Sequence, residues 1–132
     1  YWTGLAAGSL QPSTWTHLAW VKSGTQELWF VNGELRDTVT GNTQIDWGVD
    51  QQNFRLGSGL QSGVSVFWQG DIGGLRVSSN ARYQAGFFPP PITTDATTEL
   101  AYDFSAGTGP VVTDLSGKGN HGAIVGATWV VQ

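Results

Sequence analysis

Residues 114–122 read DLSGKGNHG and concentrate the residue types that bind ions. Glycines on both sides of Lys118 suggest a loop that holds a phosphate. Such a loop needs a further glycine at a fixed distance upstream, and it opens a helix. Here the upstream position is Val112, and the residues that follow, GAIVGATWV, have a strand pattern. The sequence therefore excludes phosphate binding by this stretch.

Two other roles stay open for the same stretch. In the first, glycine and asparagine form a turn, and the Asp114 carboxylate accepts hydrogen bonds from backbone amides. In the second, Asp114 and Asn120 are oxygen ligands of a structural calcium ion, beside backbone carbonyls. Calcium takes about six to eight oxygens, so two side chains would need further ligands.

The chain also has seven tryptophans, whose side chains are suited to ligand binding. An indole ring stacks on the apolar face of a sugar, and its N–H donates a hydrogen bond at the rim. Two tryptophans lie in polar surroundings, one in QIDWGVDQQN and one in VFWQGD. We predict a carbohydrate-binding site built from Trp47, Trp68, Asp46, Asp50 and Gln51. The alternative for Trp47 is a ring that folds back onto a sheet edge.

Charge and composition exclude several classes of function. The net charge is −4 and no run of Lys or Arg occurs, so we expect no nucleic-acid partner. The absence of cysteine excludes disulfides and thiol chemistry. No apolar stretch approaches the length of a membrane span, so we expect no membrane partner. The three glutamates, at positions 27, 34 and 99, do not form the carboxylate pattern of a glycosidase, so we expect no enzyme.

Turn-forming residues occur about every ten positions, which is typical of a β-sandwich or barrel. Asn32-Gly33 predicts a type I′ hairpin turn, because both positions then need positive φ angles. The proline-rich residues 86–99 predict an outer crossing rather than an interior strand. Alternation predicts core positions for Trp15, Trp20, Trp29 and Trp129. The predicted strands are 2–6, 15–22, 27–31, 54–57, 64–68, 72–78, 100–104 and 123–130.

Four motifs together resemble one family. WTHLAWVKSGTQELWFVNGEL (15–35) resembles the central hairpin of laminin G-like jelly rolls in the concanavalin A-like lectin and glucanase superfamily. NFRLGSG (53–59) and GDIGGLRVSSNARY (70–83) resemble later strands of that fold. The resemblance implies an all-β, two-sheet antiparallel β-sandwich, or jelly roll. It also implies an accessory module of a secreted bacterial protein, one that often binds carbohydrate.

Two departures from the family matter. YDFSAGTGPVVTDLSGKGNHGAIVGATWV (102–130) resembles the strands that usually open the domain, yet it comes last. We predict one domain over 1–132 with a permuted or incomplete strand order; the alternative is the end of one domain joined to the start of another. The family also often has Ile-Asp-Glu where this chain has Ile72-Gly73-Gly74. Asp71 is then the remaining candidate for a metal ligand there.

We therefore predict a non-catalytic carbohydrate-binding module of a secreted, multidomain bacterial protein. Its partner would be a polysaccharide or glycan outside the cell, and calcium would be a structural cofactor. The alternative is a structural or adhesion module on a cell surface or virion, which assembles as an oligomer or with a chain that supplies a missing segment. The chain does not begin with Met, so we expect it to be a piece of a longer protein.

Overall fold

The computed structural model describes residues 5–6, 8–41, 54–61 and 63–130, and the structural statements below refer to them. Regular structure there consists of strands and one turn of 3-10 helix at Phe104–Ala106. The strands are β1 (Leu18–Ser23), β2 (Gln26–Val31), β3 (Glu34–Thr40), β4 (Ser58–Gln61), β5 (Val64–Phe67), β6 (Gly74–Ser78), β7 (Thr98–Asp103), β8 (Val111–Val112) and β9 (Gly122–Ala123).

Every strand pair of the described chain is antiparallel. β1, β2 and β3 form a three-stranded sheet, while β4 pairs with β5, β6 with β7 and β8 with β9. The all-β fold class is confirmed, and several antiparallel sheets with almost no helix agree with a β-sandwich. Within the described ranges, no helix is long and apolar enough to cross a bilayer.

Strand alternation places one face of the three-stranded sheet against the core. Val21 and Leu28 are opposite each other on that face, and Phe30 beside them is fully buried. The Phe30 ring meets the rings of Tyr83 and Phe87 edge-on, with centroids 6.4 and 5.3 Å away. Each such pair adds about 0.5–1.5 kcal/mol to the effect of area burial. The aromatic contacts therefore fix the chain after β6 against the sheet.

The β2–β3 hairpin has the predicted type I′ turn. Asn32 has φ 52° and Gly33 has φ 80°, as this turn requires. Asn32 ties the turn to the start of β1, because its Oδ1 accepts the His17 N–H at 2.9 Å and its N–H donates to the His17 carbonyl at 2.8 Å. The Phe87 N–H donates to the Gly33 carbonyl at 2.9 Å. The turn therefore also anchors the proline-rich segment.

The structure departs from the predicted strands at three places for local reasons. In addition, the pattern does not predict β8, and the predicted strand 2–6 lies outside the described residues except for 5–6, which are not in a strand. The pattern of ELRDTVT does not predict β3, because charged residues interrupt its alternation, but the tight turn pairs it with β2. β4 begins after the predicted 54–57, since Gly57 has φ 79° and cannot continue a strand. Of the predicted strand 123–130, only Ala123 lies in a strand, β9. Gly126, with φ 72°, ends the extended run.

Replacing Gly33 by alanine tests how tightly the turn is packed. A Cβ at this position would overlap the Phe87 carbonyl, and the positive φ adds strain. We expect Gly33→Ala to lower the free energy of unfolding by about 3 kcal/mol in urea titrations. Gly24→Ala is the matched control, because Gly24 has φ 56° and a Cβ there meets nothing within 4 Å. It should cost about 1 kcal/mol, and equal losses would contradict the packing.

Candidate functional site

Two tryptophans form an aromatic pair on the sheet face opposite the core. Trp20 on β1 is in register with Trp29 on β2, and their ring centroids are 5.9 Å apart with planes tilted by 34°. The Trp20 indole N–H donates to Glu27 Oε2 at 3.2 Å, which fixes the ring. Trp20 is 44% exposed and Trp15 is 59% exposed, so the predicted core position is wrong for both residues. The outer face of the sheet therefore presents aromatic surface to solvent.

A β-bulge places charged side chains beside this pair. Trp29 is in register with Asp37 and the next residue, Phe30, with Leu35, so Arg36 is the additional residue on β3. A bulge redirects a side chain relative to regular alternation. Arg36 and Asp37 accordingly line one open cavity of about 370 Å³. Among the described residues, the lining consists of Leu5, Ala6, Ser9, Arg36 and Asp37.

The cavity lining supplies both hydrogen-bond donors and acceptors. Arg36 forms an exposed ion pair with Glu34, with 2.7 Å between the guanidinium nitrogen and the carboxylate oxygen. Asp37 Oδ1 accepts the Thr38 N–H at 2.8 Å, which holds the carboxylate in place. Ligand-binding sites commonly combine aromatic surface with a few precisely placed polar groups. The aromatic pair and the cavity lining are neighbours here, because Trp29 is in register with Asp37. We call this set the tryptophan face: Trp20, Trp29, Ser9, Arg36 and Asp37.

The residues predicted from sequence lie elsewhere or outside the described ranges. Trp68 follows β5 and is 54% exposed, and a Cβ at Gly70 would lie 3.0 Å from its indole nitrogen. Asp71 is exposed between β5 and β6. The other four predicted residues lie outside the described part of the chain: Trp47, Asp46, Asp50 and Gln51. No local sequence pattern marks the tryptophan face, because the bulge at Arg36 shows only in the pairing of β3 with β2.

Asp114 is the centre of a second polar cluster and is only 5% exposed. Its Oδ1 accepts the backbone N–H groups of Ala101 at 3.0 Å and Ser116 at 2.9 Å. Its Oδ2 accepts the Ser116 hydroxyl at 2.7 Å and the Asn120 N–H at 3.0 Å. His121 Nδ1 in turn accepts the Asp114 N–H at 3.0 Å. One carboxylate thus closes the loop 114–121 and joins it to β7.

Three more contacts attach the same loop to β7. The Asn120 amide donates to the Glu99 carbonyl at 2.9 Å, and the Tyr102 hydroxyl donates to the Asn120 carbonyl at 2.6 Å. Lys118 forms an exposed ion pair with the Glu99 carboxylate at 2.6 Å. We call this cluster the Asp114 clasp, comprising residues 114–121 and their partners on β7. The Asn120 side-chain nitrogen is therefore engaged as a donor within the clasp.

The hydrogen bonds also decide the ionisation of Asp114. Burial raises the pKa of this carboxyl, but the hydrogen bonds from Ala101, Ser116 and Asn120 outweigh burial and hold the pKa well below its usual range. Donors occupy both oxygens of the carboxylate, and a calcium ion would have to displace them. The described residues contain no group of three or more His, Cys, Asp or Glu suited to a metal ion. As it stands, the carboxylate fits the turn role, and calcium at Asp114, Asn120 and Asp71 stays a prediction.

Replacing Asp114 by asparagine tests the clasp. The new amide would point N–H groups at donors, so we expect the thermal midpoint to fall by about 10 °C. Asp71→Asn, at an exposed position, is the control and should leave the midpoint unchanged.

The pH dependence gives a second readout. Because folding lowers the pKa of Asp114, its stabilisation is complete above about pH 4 and is lost as the pH falls through the folded value. Asp114→Asn should therefore flatten the acid limb of the stability curve. Part of that limb will persist, because hydrogen bonds also lower the pKa values of Asp95, Glu99 and Asp103. An unchanged acid limb would contradict the role of Asp114.

A calcium titration separates the two roles of the loop. If the clasp alone holds Asp114, millimolar calcium and EDTA should give the same thermal midpoint. A bound ion would instead raise the midpoint with calcium concentration by mass action. Loss of that rise in Asp114→Asn would assign the ion to this carboxylate.

The comparisons with known proteins fit this architecture. A family model described as the concanavalin A-like lectin/glucanases superfamily, laminin G type, matches residues 2–85. No curated protein and no solved structure matches the chain significantly. The matched range contains the tryptophan face and β1–β6, whereas the Asp114 clasp lies beyond it, so a single domain over 1–132 stays a prediction. The match covers more than half of the chain, and the chain therefore belongs to the laminin G-type family of the concanavalin A-like lectin/glucanase superfamily.

Proposed function

We propose that the chain is a non-catalytic carbohydrate-binding module whose glycan binds on the tryptophan face. The observation that carries the proposal is the pairing of the exposed Trp20 with the half-buried Trp29, which is in register with Asp37 of the cavity lining. A sugar ring presents apolar C–H groups on its faces and hydroxyls on its edge. The aromatic pair would contact the C–H groups, and the cavity lining would form hydrogen bonds with the hydroxyls.

The fixed geometry of the polar groups supports binding. Glu27 orients the Trp20 ring, and the Thr38 N–H orients Asp37, so these side chains lose little freedom when a ligand arrives. Both carboxylates already accept hydrogen bonds that serve orientation.

The charge of the chain narrows the class of glycan. A net charge of −4 disfavours acidic polysaccharides, because like charges repel during encounter. We therefore propose an uncharged plant, algal or bacterial polysaccharide as the partner. Because such polymers are found outside cells, we also propose that the module belongs to a secreted or cell-surface protein.

Titration against a panel of such glycans, followed by calorimetry and tryptophan fluorescence, tests the proposal. Trp20→Ala should weaken affinity by about tenfold or more, since it removes half of the stacking surface. Asp37→Ala should weaken it by several fold through lost hydrogen bonds. Trp15→Ala is the matched control at an exposed tryptophan off this face, and it should stay within twofold of the parent.

The same titration distinguishes the face from the site predicted around Trp47 and Trp68. If Trp68→Ala abolishes binding while Trp20→Ala does not, the module binds glycan at the predicted site. If no glycan in the panel binds, the proposed function is wrong.

A second candidate function is a structural or adhesion module that assembles with protein. One observation favours it: β5 is exposed at all of its positions, including Val64, Val66 and Phe67. No charged residue occurs from 56 to 69. Apolar strands without charge favour pairing with other chains. Light scattering would show an oligomer under this function, and Phe67→Lys would dissociate it; a monomer at all concentrations would contradict it.

A further inference from the structure

His17, just before β1, has a buried ring nitrogen without a hydrogen-bond partner among the described residues. Its Nδ1 is shielded from solvent, and no donor or acceptor of the described chain reaches it. The ring meets Phe87 edge-on, with 5.6 Å between centroids and 80° between planes. A buried polar atom that stays unpaired costs free energy, so the position limits which protonation state of the imidazole the fold accepts.

The backbone of His17 is fixed, so only its ring can respond to a proton. Asn32 Oδ1 accepts the His17 N–H at 2.9 Å, and the Asn32 N–H donates to the His17 carbonyl at 2.8 Å. A neutral imidazole can leave Nδ1 without a proton, whereas an imidazolium carries an N–H at both nitrogens. Protonation would therefore place a charged donor without an acceptor beside the Phe87 ring.

Arg76 on β6 adds a repulsive charge. Its guanidinium acts on His17, and two hydrogen bonds hold it in place: one to the Tyr83 hydroxyl at 2.7 Å and one to the Thr93 carbonyl at 3.2 Å. Both partners belong to residues 83–94, the segment that leaves β6 and carries Phe87. The cation that disfavours a charged His17 therefore also fastens this segment to β6.

The other described groups around His17 supply no compensating negative charge. The hairpin turn contributes the uncharged Asn32 and Gly33. Residues 83–94 contain Tyr83 as a titratable residue, but no Asp, Glu, Lys, Arg or His. Burial, and after it the Arg76 charge, lower the pKa of His17 below its ordinary value.

The carboxylate that follows the turn is already engaged. Glu34 is exposed and forms an ion pair with Arg36 on the same strand, with 2.7 Å between nitrogen and oxygen. An exposed, paired carboxylate does little to stabilise a buried cation.

We propose that His17 is an acid-sensitive latch, which holds residues 83–94 on the hairpin at neutral pH and releases them when the imidazole takes up a proton. Hydration of the charged ring requires Phe87 to move away. Tyr83 would move with it, because the two rings stack with 3.6 Å between centroids. The hydrogen bond from the Phe87 N–H to the Gly33 carbonyl, at 2.9 Å, would break.

The opening is local and does not depend on glycan binding. The pairing of β1, β2 and β3 involves none of residues 83–94, so these strands keep their own hydrogen bonds. Acid would thus raise the population of a state in which the Phe87 and Tyr83 rings leave the hairpin.

The sign of the pH effect follows from the lowered pKa of His17. The latch is complete above the ordinary histidine value of about 6.5 and is lost as the pH falls through the lower folded value. Stabilisation by the carboxylates is complete above about pH 4, which is a lower window. A measurement at pH 5.0 therefore separates the latch from the Asp114 clasp.

Residue-resolved NMR of the whole labelled chain between pH 7.5 and 5.0 tests the proposal. The histidine ring signals report protonation, and the hydrogen-exchange protection factor of the Phe87 amide reports opening. We expect that protection factor to fall by about tenfold over this range. The Phe87 amide and the His17 ring should change with one shared midpoint, while the protected amides of β2 keep their protection.

Two matched variants assign the response, because the chain has two histidines. His17→Gln removes the titrating ring and keeps the backbone hydrogen bonds, so Phe87 should be equally protected at both pH values. His121→Gln should keep the response of the parent, because His121 contacts Asp114 in the clasp and not residues 83–94.

Three outcomes would overturn the proposal. The first is Phe87 protection that does not change with pH in the parent chain. The second is an acid response that persists in His17→Gln. The third needs no variant and applies even if His17→Gln does not fold: a Phe87 transition whose midpoint follows the His121 ring rather than the His17 ring.

Discussion

The burial of Phe30 on one face of the β1–β3 sheet is the constraint on which the rest of the molecule depends. Its ring is completely covered, and the rings of Tyr83 and Phe87 surround it. Alternation along β2 then sends Trp29 to the opposite face, and antiparallel register brings Trp20 beside it. The core face and the tryptophan face are therefore two consequences of the same hairpin.

Polar contacts between residues far apart in the sequence hold the remaining chain in place. The Asn-Gly turn holds both the start of β1 and the chain at Phe87. The Asp114 clasp does the same for the loop after β7, since one carboxylate satisfies three backbone amides. Arg82 and Asp95, joined at 2.6 Å, connect the chain after β6 with the approach to β7. In this glycine-rich protein, short side chains that accept hydrogen bonds from backbone N–H groups thus take the place of longer runs of hydrogen bonds between strands.

Local patterns predicted the parts of the fold that depend on local chemistry. Asn32-Gly33 specifies its turn because few other residues accept two positive φ angles. Alternation along β1 and β2 predicts core positions for Trp20 and Trp29, whereas the structure buries Val21, Leu28 and Phe30 on the other face. The exposure of Trp20 could not be read in the same way, because it depends on whether another layer covers the outer face. The bulge at Arg36 is likewise invisible in sequence, since only pairing with β2 reveals the additional residue. For Asp114, the predicted turn correctly makes the carboxylate an acceptor of backbone N–H groups, but the sequence does not predict the hydrogen bond from Ala101 on β7.

Glycan binding on the tryptophan face is tested most directly by the tryptophan indole N–H signals in a ¹H–¹⁵N spectrum during titration with an uncharged glycan. Each of the seven indoles gives its own signal, so one experiment compares all possible platforms. If glycan binds on the tryptophan face, the signals of Trp20 and Trp29 shift together with a single affinity, while that of Trp15 stays in place. Stationary signals from Trp20 and Trp29, with shifts confined to Trp47 or Trp68, would contradict it.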